Sequence, residues 1–173
     1  MKAIFEVINQ MQADGVISEY AIGGAVAATF YLEPASTLDV DIFVELKPAV
    51  DSMLLTLTPI YDYLTARGCK AAKETILIAG WPVQFLPPGG PLDEEALHSA
   101  VRTEVEGVPT RVITAEHLVA MALKTGRAKD CARIMAFVES GVLDISKLDQ
   151  ILKRHGLVAK WEQFAIKFIP GKS

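Results

Sequence analysis

Asp39 and Asp41 stand two apart in a run where Val40, Ile42, Val44 and Leu46 alternate with Asp39, Asp41, Phe43 and Glu45. The alternation predicts a strand with an acidic start, and it sets both carboxylates on one face a few ångströms apart. Carboxylates that close repel. Each raises the other's pKa unless a cation or hydrogen-bond donors offset the charge, and Mg²⁺ is the usual cation when phosphate oxygens complete its shell. Such a pair can hold two metals that activate an attacking hydroxyl and stabilise the leaving pyrophosphate during an in-line displacement. Upstream, Gly23-Gly24 falls between a predicted strand, Glu19 to Ile22, and an Ala-rich predicted helix, Ala25 to Leu32. Without Cβ atoms, a polyphosphate can approach the backbone while helix N–H groups face it. Either feature alone has a plain structural reading, a solvent-facing pair or a tight turn. Thr37, between them, joins the set that favours phosphate.

A second cluster is Lys124, Arg127 and Asp130. Lys124 and Arg127 are three apart, so on one helix they share a face and can contact a β- or γ-phosphate, with Asp130 orienting either. The alternative is a solvated helix surface with local ion pairs. Gly126 between them can bend or end the helix, which breaks their convergence.

The elements that must carry these groups read as follows. Ile4, Val7, Ile8 and Met11 recur at helical spacing up to Asp14-Gly15. After the acidic strand, a helix is predicted from Met53 to Ala66, closing at Gly68, and Thr75 to Ala79 with Pro82 to Leu86 form a hairpin turning at Gly80-Trp81. Pro87-Pro88-Gly89-Gly90 is a loop. Asp93 to Val101 reads as a helix, Val105 to Ile113 as two extended pieces around Gly107-Val108-Pro109, and the remainder as helices. In that remainder Cys131, Ile134, Met135 and Val138 form one apolar stripe and Trp161, Phe164, Ala165 and Phe168 another, both read as core packing. The fold class expected is α+β, a small mixed sheet flanked by helices and followed by a C-terminal helical lobe, with residues 1–113 as core and 114–173 as lobe.

Composition sets outer bounds. The chain has 173 residues, 51% hydrophobic and 22% charged, enough for a real core. Apolar stretches are short and broken, so neither a membrane span nor a signal peptide is expected, and a cytoplasmic protein is the default. Cys69 and Cys131 lack metal-ligand spacing and read as free thiols. The net charge of −4 divides unevenly: residues 1–100 hold 13 acids and 5 bases, residues 101–173 hold 8 and 12. One part suits metal ions and the other phosphates, as far as charge decides.

The segments Ala21-Ile22-Gly23-Gly24 and Pro34-Ala35-Ser36-Thr37-Leu38-Asp39-Val40-Asp41-Ile42 together resemble the signature of the DNA polymerase beta-like nucleotidyltransferase superfamily, in particular the bacterial AbiEii and MNT type. Ala122 to Asp130 is similar to that group's helical motif. The resemblance implies that Gly23, Gly24 and Thr37 cradle a nucleoside triphosphate, Asp39 and Asp41 hold Mg²⁺, and Lys124 and Arg127 counter the phosphate charge. It further implies transfer of a nucleoside monophosphate to an acceptor hydroxyl on RNA, protein or a small molecule such as an aminoglycoside. The toxin part of a toxin–antitoxin pair, with an antitoxin protein as partner, is also implied.

Three positions depart from that pattern. Gln84 stands where a third carboxylate is usual, and an amide cannot accept a proton at neutral pH. Ala35 replaces a frequent arginine, and Arg133 a frequent second helical aspartate. A slow or substrate-assisted transferase, a carboxylate supplied by Glu104, Glu106 or Glu116, and a degenerate nucleotide-binding or interaction protein are each compatible with Gln84. His98, His117 and His155 read as non-catalytic, His155 as a helix-end cap, and Trp81 and Trp161 as packing residues.

Overall fold

The computed structural model describes residues 1–33, 37, 39–46 and 56–169. Helix α1 (Lys2–Ala13) buries Ile4, Ile8 and Met11 of the expected stripe fully, together with Phe5, while Val7 is half-buried. Strand β1 (Ile17–Ile22) and the short helix α2 (Gly24–Ala28) lead to β2 (Val40–Leu46). Then come α3 (Thr58–Thr65), β3 (Lys70–Ala72), β4 (Thr75–Ile78), β5 (Trp81–Leu86), α4 (Pro91–His98), β6 (Val101–Val105) and β7 (Val108–Val112). The chain passes to helices at Thr114, with α5 (Ala115–Thr125), α6 (Ala128–Ser140), α7 (Ile145–Arg154) and α8 (Val158–Phe168). The described strands form one mixed sheet in the order β3-β4-β5-β2-β1-β7-β6. Helices flank it and a helical part follows it, as the sequence predicts. Among the described residues no helix is long and apolar enough to cross a membrane.

Register decides which face each side chain takes. β1 pairs antiparallel with β2, matching Tyr20 to Val44, Ala21 to Phe43 and Ile22 to Ile42. The Tyr20 hydroxyl donates to Asn9 of α1, so Tyr20, Val44 and Ile42 lie on the α1 face. Asp41, Phe43 and Glu45 therefore take the opposite face, the one on which α4 packs, and Glu45 indeed meets His98 of α4 at 3.5 Å. The chemistry-bearing face is also the one that receives α2.

Where β1 and β7 run side by side they pair only at Ile22 and Val112, then part around a polar cavity of about 440 Å³. Strand carbonyls there have no ladder partner. Two amides of α1 replace the ladder, Asn9 Nδ2 donating to the Pro109 carbonyl and Gln12 Nε2 to that of Ser18, each at 2.8 Å.

Several boundaries differ from expectation. α2 stops at Ala28 instead of Leu32, because the Thr29 hydroxyl donates back to the Val26 carbonyl and the next residues tighten into i−3 turns. α3 starts at Thr58, and the expected start at Met53 lies outside the described residues, as do 34–36 and 38 in the resemblance. α4 ends at His98, and Val101, expected in that helix, opens β6 opposite Val112. The two expected turns fall one residue early, at Ala79-Gly80 (φ 50° and 85°) and Glu106-Gly107 (φ 52° and 78°), and a further hairpin, β3–β4, turns at Lys73-Glu74. A two-residue turn that matches strand twist needs two positive φ values, so the residue before glycine shares it.

Candidate functional site

Asp39 and Asp41 sit at the N-terminal end of β2, beside the C-terminal end of β1 and the Gly23-Gly24 turn. The Gly23 N–H donates to the Asp41 carbonyl at 2.9 Å, which stitches the turn to the strand. Each glycine gives up its side chain to a different neighbour. A Cβ on Gly23 would strike the Phe43 ring, and one on Gly24 would collide with the Asp41 carboxylate. Gly24 also has φ +58°, where a side chain is strained. The room that the sequence reading gave to a phosphate at Gly24 is thus taken in part by Asp41 itself. Thr37 donates its hydroxyl proton to the Asp39 carbonyl at 3.0 Å, bracing the start of the strand.

Gln84 on β5 is the direct partner of Asp41 across the parallel β2–β5 pair, so the two side chains share a face on strands about 4.8 Å apart. The other candidate carboxylates are elsewhere. Glu104 and Glu106 belong to the β6–β7 hairpin, three strands from β2, and Glu106 accepts from the Lys2 backbone N–H at the start of α1. Glu116 is buried and accepts the Asp144 N–H at 2.9 Å. Among the described residues no group of three or more His, Cys, Asp or Glu side chains is placed to hold a metal ion. A Mg²⁺ ion here would take two carboxylates from the chain and fill its shell from phosphate oxygens, water and the Gln84 amide oxygen, which suits a hard cation bound with its substrate.

Solved structures share this fold. An antigenic nucleotidyltransferase-like protein from Paracoccidioides brasiliensis aligns with a TM-score of 0.54 at 16% identity, over 92% of this chain and 90% of its own. The antibiotic-resistance factor ANT(2'')-Ia aligns with a TM-score of 0.53 at 13% identity, over 94% of each chain. This is the fold of nucleotidyltransferase-like proteins. No family model and no curated protein matches the sequence.

On this nucleotidyltransferase-like fold the second cluster differs from its predicted form. Lys124 and Arg127 do not share a helix: α5 ends at Thr125, Gly126 takes the left-handed conformation (φ 74°), and α6 begins after Arg127. Glycine at that position ends the helix, so the three-residue spacing carries no common face. Lys124 lies instead over the loop before α4, its Nζ 3.9 Å from where a Cβ on Gly90 would stand. Arg127 is the first residue of a capping box. Asp130, almost fully buried, accepts from its Nε at 2.7 Å, its Nη2 at 3.2 Å and its backbone N–H at 3.2 Å. Burial would push the Asp130 carboxyl up, but the hydrogen bonds and charge of Arg127 hold it below the usual range. Asp130 therefore orients Arg127.

Burial and the neighbouring Asp39 charge push Asp41 above the usual carboxylate range, opposed by the charges of Arg133, Lys129 and Arg127. The start of α6 thus holds three cations within Coulombic reach of Asp41. Sequence reasoning chose only Arg127 among them. The signal for the others was the i, i+4 spacing of Lys129 and Arg133, which sets them on one face of α6.

All three histidines are used in structural contacts. His117 and His155 both bond Glu95, at 3.2 and 2.7 Å, and Arg154 adds a third partner. His155 serves this cluster as well as ending α7. The bonds from Arg154 first, then the two histidines, hold Glu95 down to about 2 against its burial. Burial lowers His117, whose Nδ1 lies 2.8 Å from the Thr114 hydroxyl; a neutral ring with its proton on Nε2 satisfies both contacts.

Proposed function

We propose that this protein is a Mg²⁺-dependent nucleotidyltransferase that moves a nucleoside monophosphate from an NTP to an acceptor hydroxyl. The observation carrying the reading is the aspartate pair at the start of β2, where Asp41 is pressed against Gly24 and stands within Coulombic reach of the cations at the start of α6. Asp39 and Asp41 hold the metal, which supplies charge stabilisation at the phosphates when bound. Arg127, Lys129 and Arg133 counter the triphosphate charge, and Asp130 keeps Arg127 fixed while it does so. The acceptor oxygen bonds to the α-phosphorus as the bond to the bridging oxygen breaks, and pyrophosphate leaves. Gln84 can orient an oxygen but takes no proton, so the acceptor proton passes to solvent or to the substrate's own phosphate.

Kinship with the AbiEii and MNT type, a bacterial source, a cytoplasmic setting and the toxin role with its antitoxin belong to the same proposal and rest on the motif residues. The acceptor is a hydroxyl of RNA, protein or a small molecule. Gln84 favours a second reading, a protein that binds nucleotide without turning it over. Calorimetry with each NTP and Mg²⁺ tests the site, and the Asp39→Ala/Asp41→Ala variant is its control. Binding indifferent to that change rejects the metal assignment. Transfer of label from α-³²P-NTP to a panel of the three acceptor classes separates turnover from binding alone.

A further inference from the structure

The aromatic stripe of α8 is larger than the core requires. Trp161 stacks on Phe164 with ring centroids 5.9 Å apart, and Phe164 meets Phe168 at 4.9 Å. Phe164 is 6% exposed, whereas Phe168 is 38% exposed. Between them and the α5–α6 turn lies a groove of about 190 Å³, floored by Leu123, Ile134 and Phe164 and walled by Phe168. Its rim carries Lys160 and Lys167, and no carboxylate lines it among the described residues. Lys167 lies over the Phe168 ring at 5.0 Å, and Lys160 donates to the Lys124 carbonyl at 2.8 Å, so both ammonium groups are held at the groove.

We propose that this groove docks an acidic segment of a partner protein, which inserts one large apolar side chain between α8 and the α5–α6 turn. The volume is on the scale of a single anchoring side chain in a desolvated pocket, the usual centre of a protein interface. The lysine rim selects carboxylates flanking that anchor and rejects basic segments by unpaired like charge. Residues 101–173 as a whole also carry a basic excess, 12 bases against 8 acids. Nucleic acid fits less well. Two rim lysines release few counterions from phosphates, and the deepest aromatic ring is buried where no base can stack on it. The docking reading is independent of nucleotide chemistry at Asp39 and Asp41.

The test uses the full chain with Trp81→Phe, which leaves Trp161 as the sole reporter, since the sequence has 2 tryptophans. The probe is a synthetic peptide with one central Phe flanked by Asp and Glu. The expected result is a saturable change in Trp161 emission, with Cys131 in the groove protected from alkylation while Cys69 keeps its rate. Affinity should fall roughly tenfold or more in Lys160→Glu/Lys167→Glu and weaken with salt. Lys167→Glu alone, which spares the bond to Lys124, and Cys131→Phe, which fills the groove, guard against a folding artefact when circular dichroism is unchanged. Absence of saturable binding overturns the proposal. So does binding that survives charge reversal, Phe-to-Ser replacement in the peptide or filling of the groove. Preferential binding of oligothymidylate, or dimerisation in sedimentation that the same substitutions abolish, assigns the groove to nucleic acid or to a second copy and likewise overturns it.

Discussion

Two polar clusters lie on the helical side of the sheet, and they treat charge in opposite ways. Around Glu95 one carboxylate meets Arg154, His155 and His117, and the carboxylate is held strongly ionised. At Asp39 and Asp41 two carboxylates crowd one strand end, while the cations that oppose them stand across on α6 and Asp41 is pushed up. The first cluster is internally paired, and folding gains from its charge. The second is left unbalanced at close range, which costs stability in the free protein, and on the proposed function a ligand brings the missing cation and phosphates. On the proposed function, that residual imbalance is what separates a site from a brace.

The largest effect that sharpens this contrast is expected for Asp39→Ala/Asp41→Ala. Nucleotide binding with Mg²⁺, or any transfer activity, should fall on the order of 100-fold or more, with the melting temperature maintained. Calorimetry and differential scanning together check both halves, and a collapse of the fold would contradict the assignment. Next is Gly24→Ala, which must displace the Asp41 carboxylate and hold a side chain at φ +58°. A loss of about 2 kcal/mol in urea unfolding is expected together with weakened metal binding.

In the paired cluster, Glu95→Gln should cost about 1–2 kcal/mol, since it leaves Arg154 and two histidines without their carboxylate. Its pH signature follows from the two depressed values. Glu95 lies at about 2 in the fold against an ordinary 4.5, so its contribution is complete above 4.5 and is lost as pH falls from there through about 2. His117 is lowered below its ordinary 6.5, so its neutral form stabilises above 6.5 and that stabilisation is lost as pH falls through the depressed folded value. Urea midpoints should therefore decline from pH 6.5 downward, and the segment below 4.5 should flatten in Glu95→Gln. The smallest effect is expected for Asp41→Asn. Relief of repulsion from Asp39 should raise the apo melting temperature by about 1–2 °C even as nucleotide binding is lost.

Local pattern carried much of this molecule. The alternation through β2 foretold that Asp39 and Asp41 share a face, and the strand–Gly-Gly–helix order foretold the turn they meet. The family resemblance, not the strand pattern, singled out Gln84, and β5 aligns it with Asp41. What the sequence did not show depends on contacts between distant segments or on single backbone angles. Glu95 reaches partners 59 and 60 residues away, which no periodicity encodes. Lys124 and Arg127 looked like helical neighbours until the left-handed Gly126 separated them. Lys129 and Arg133 were visible as a helical pair, but the sequence does not show that Asp41, about ninety residues earlier, lies within reach of their charge.

The fit of Gly24 against Asp41 has an inheritance consequence. A glycine whose missing side chain is filled by its own site's carboxylate cannot drift while that carboxylate stays, nor can the carboxylate lengthen to glutamate without new space. In descendants of this chain the two positions should be kept together or lost together. A lineage that had abandoned the chemistry would be recognised first by a side chain at residue 24.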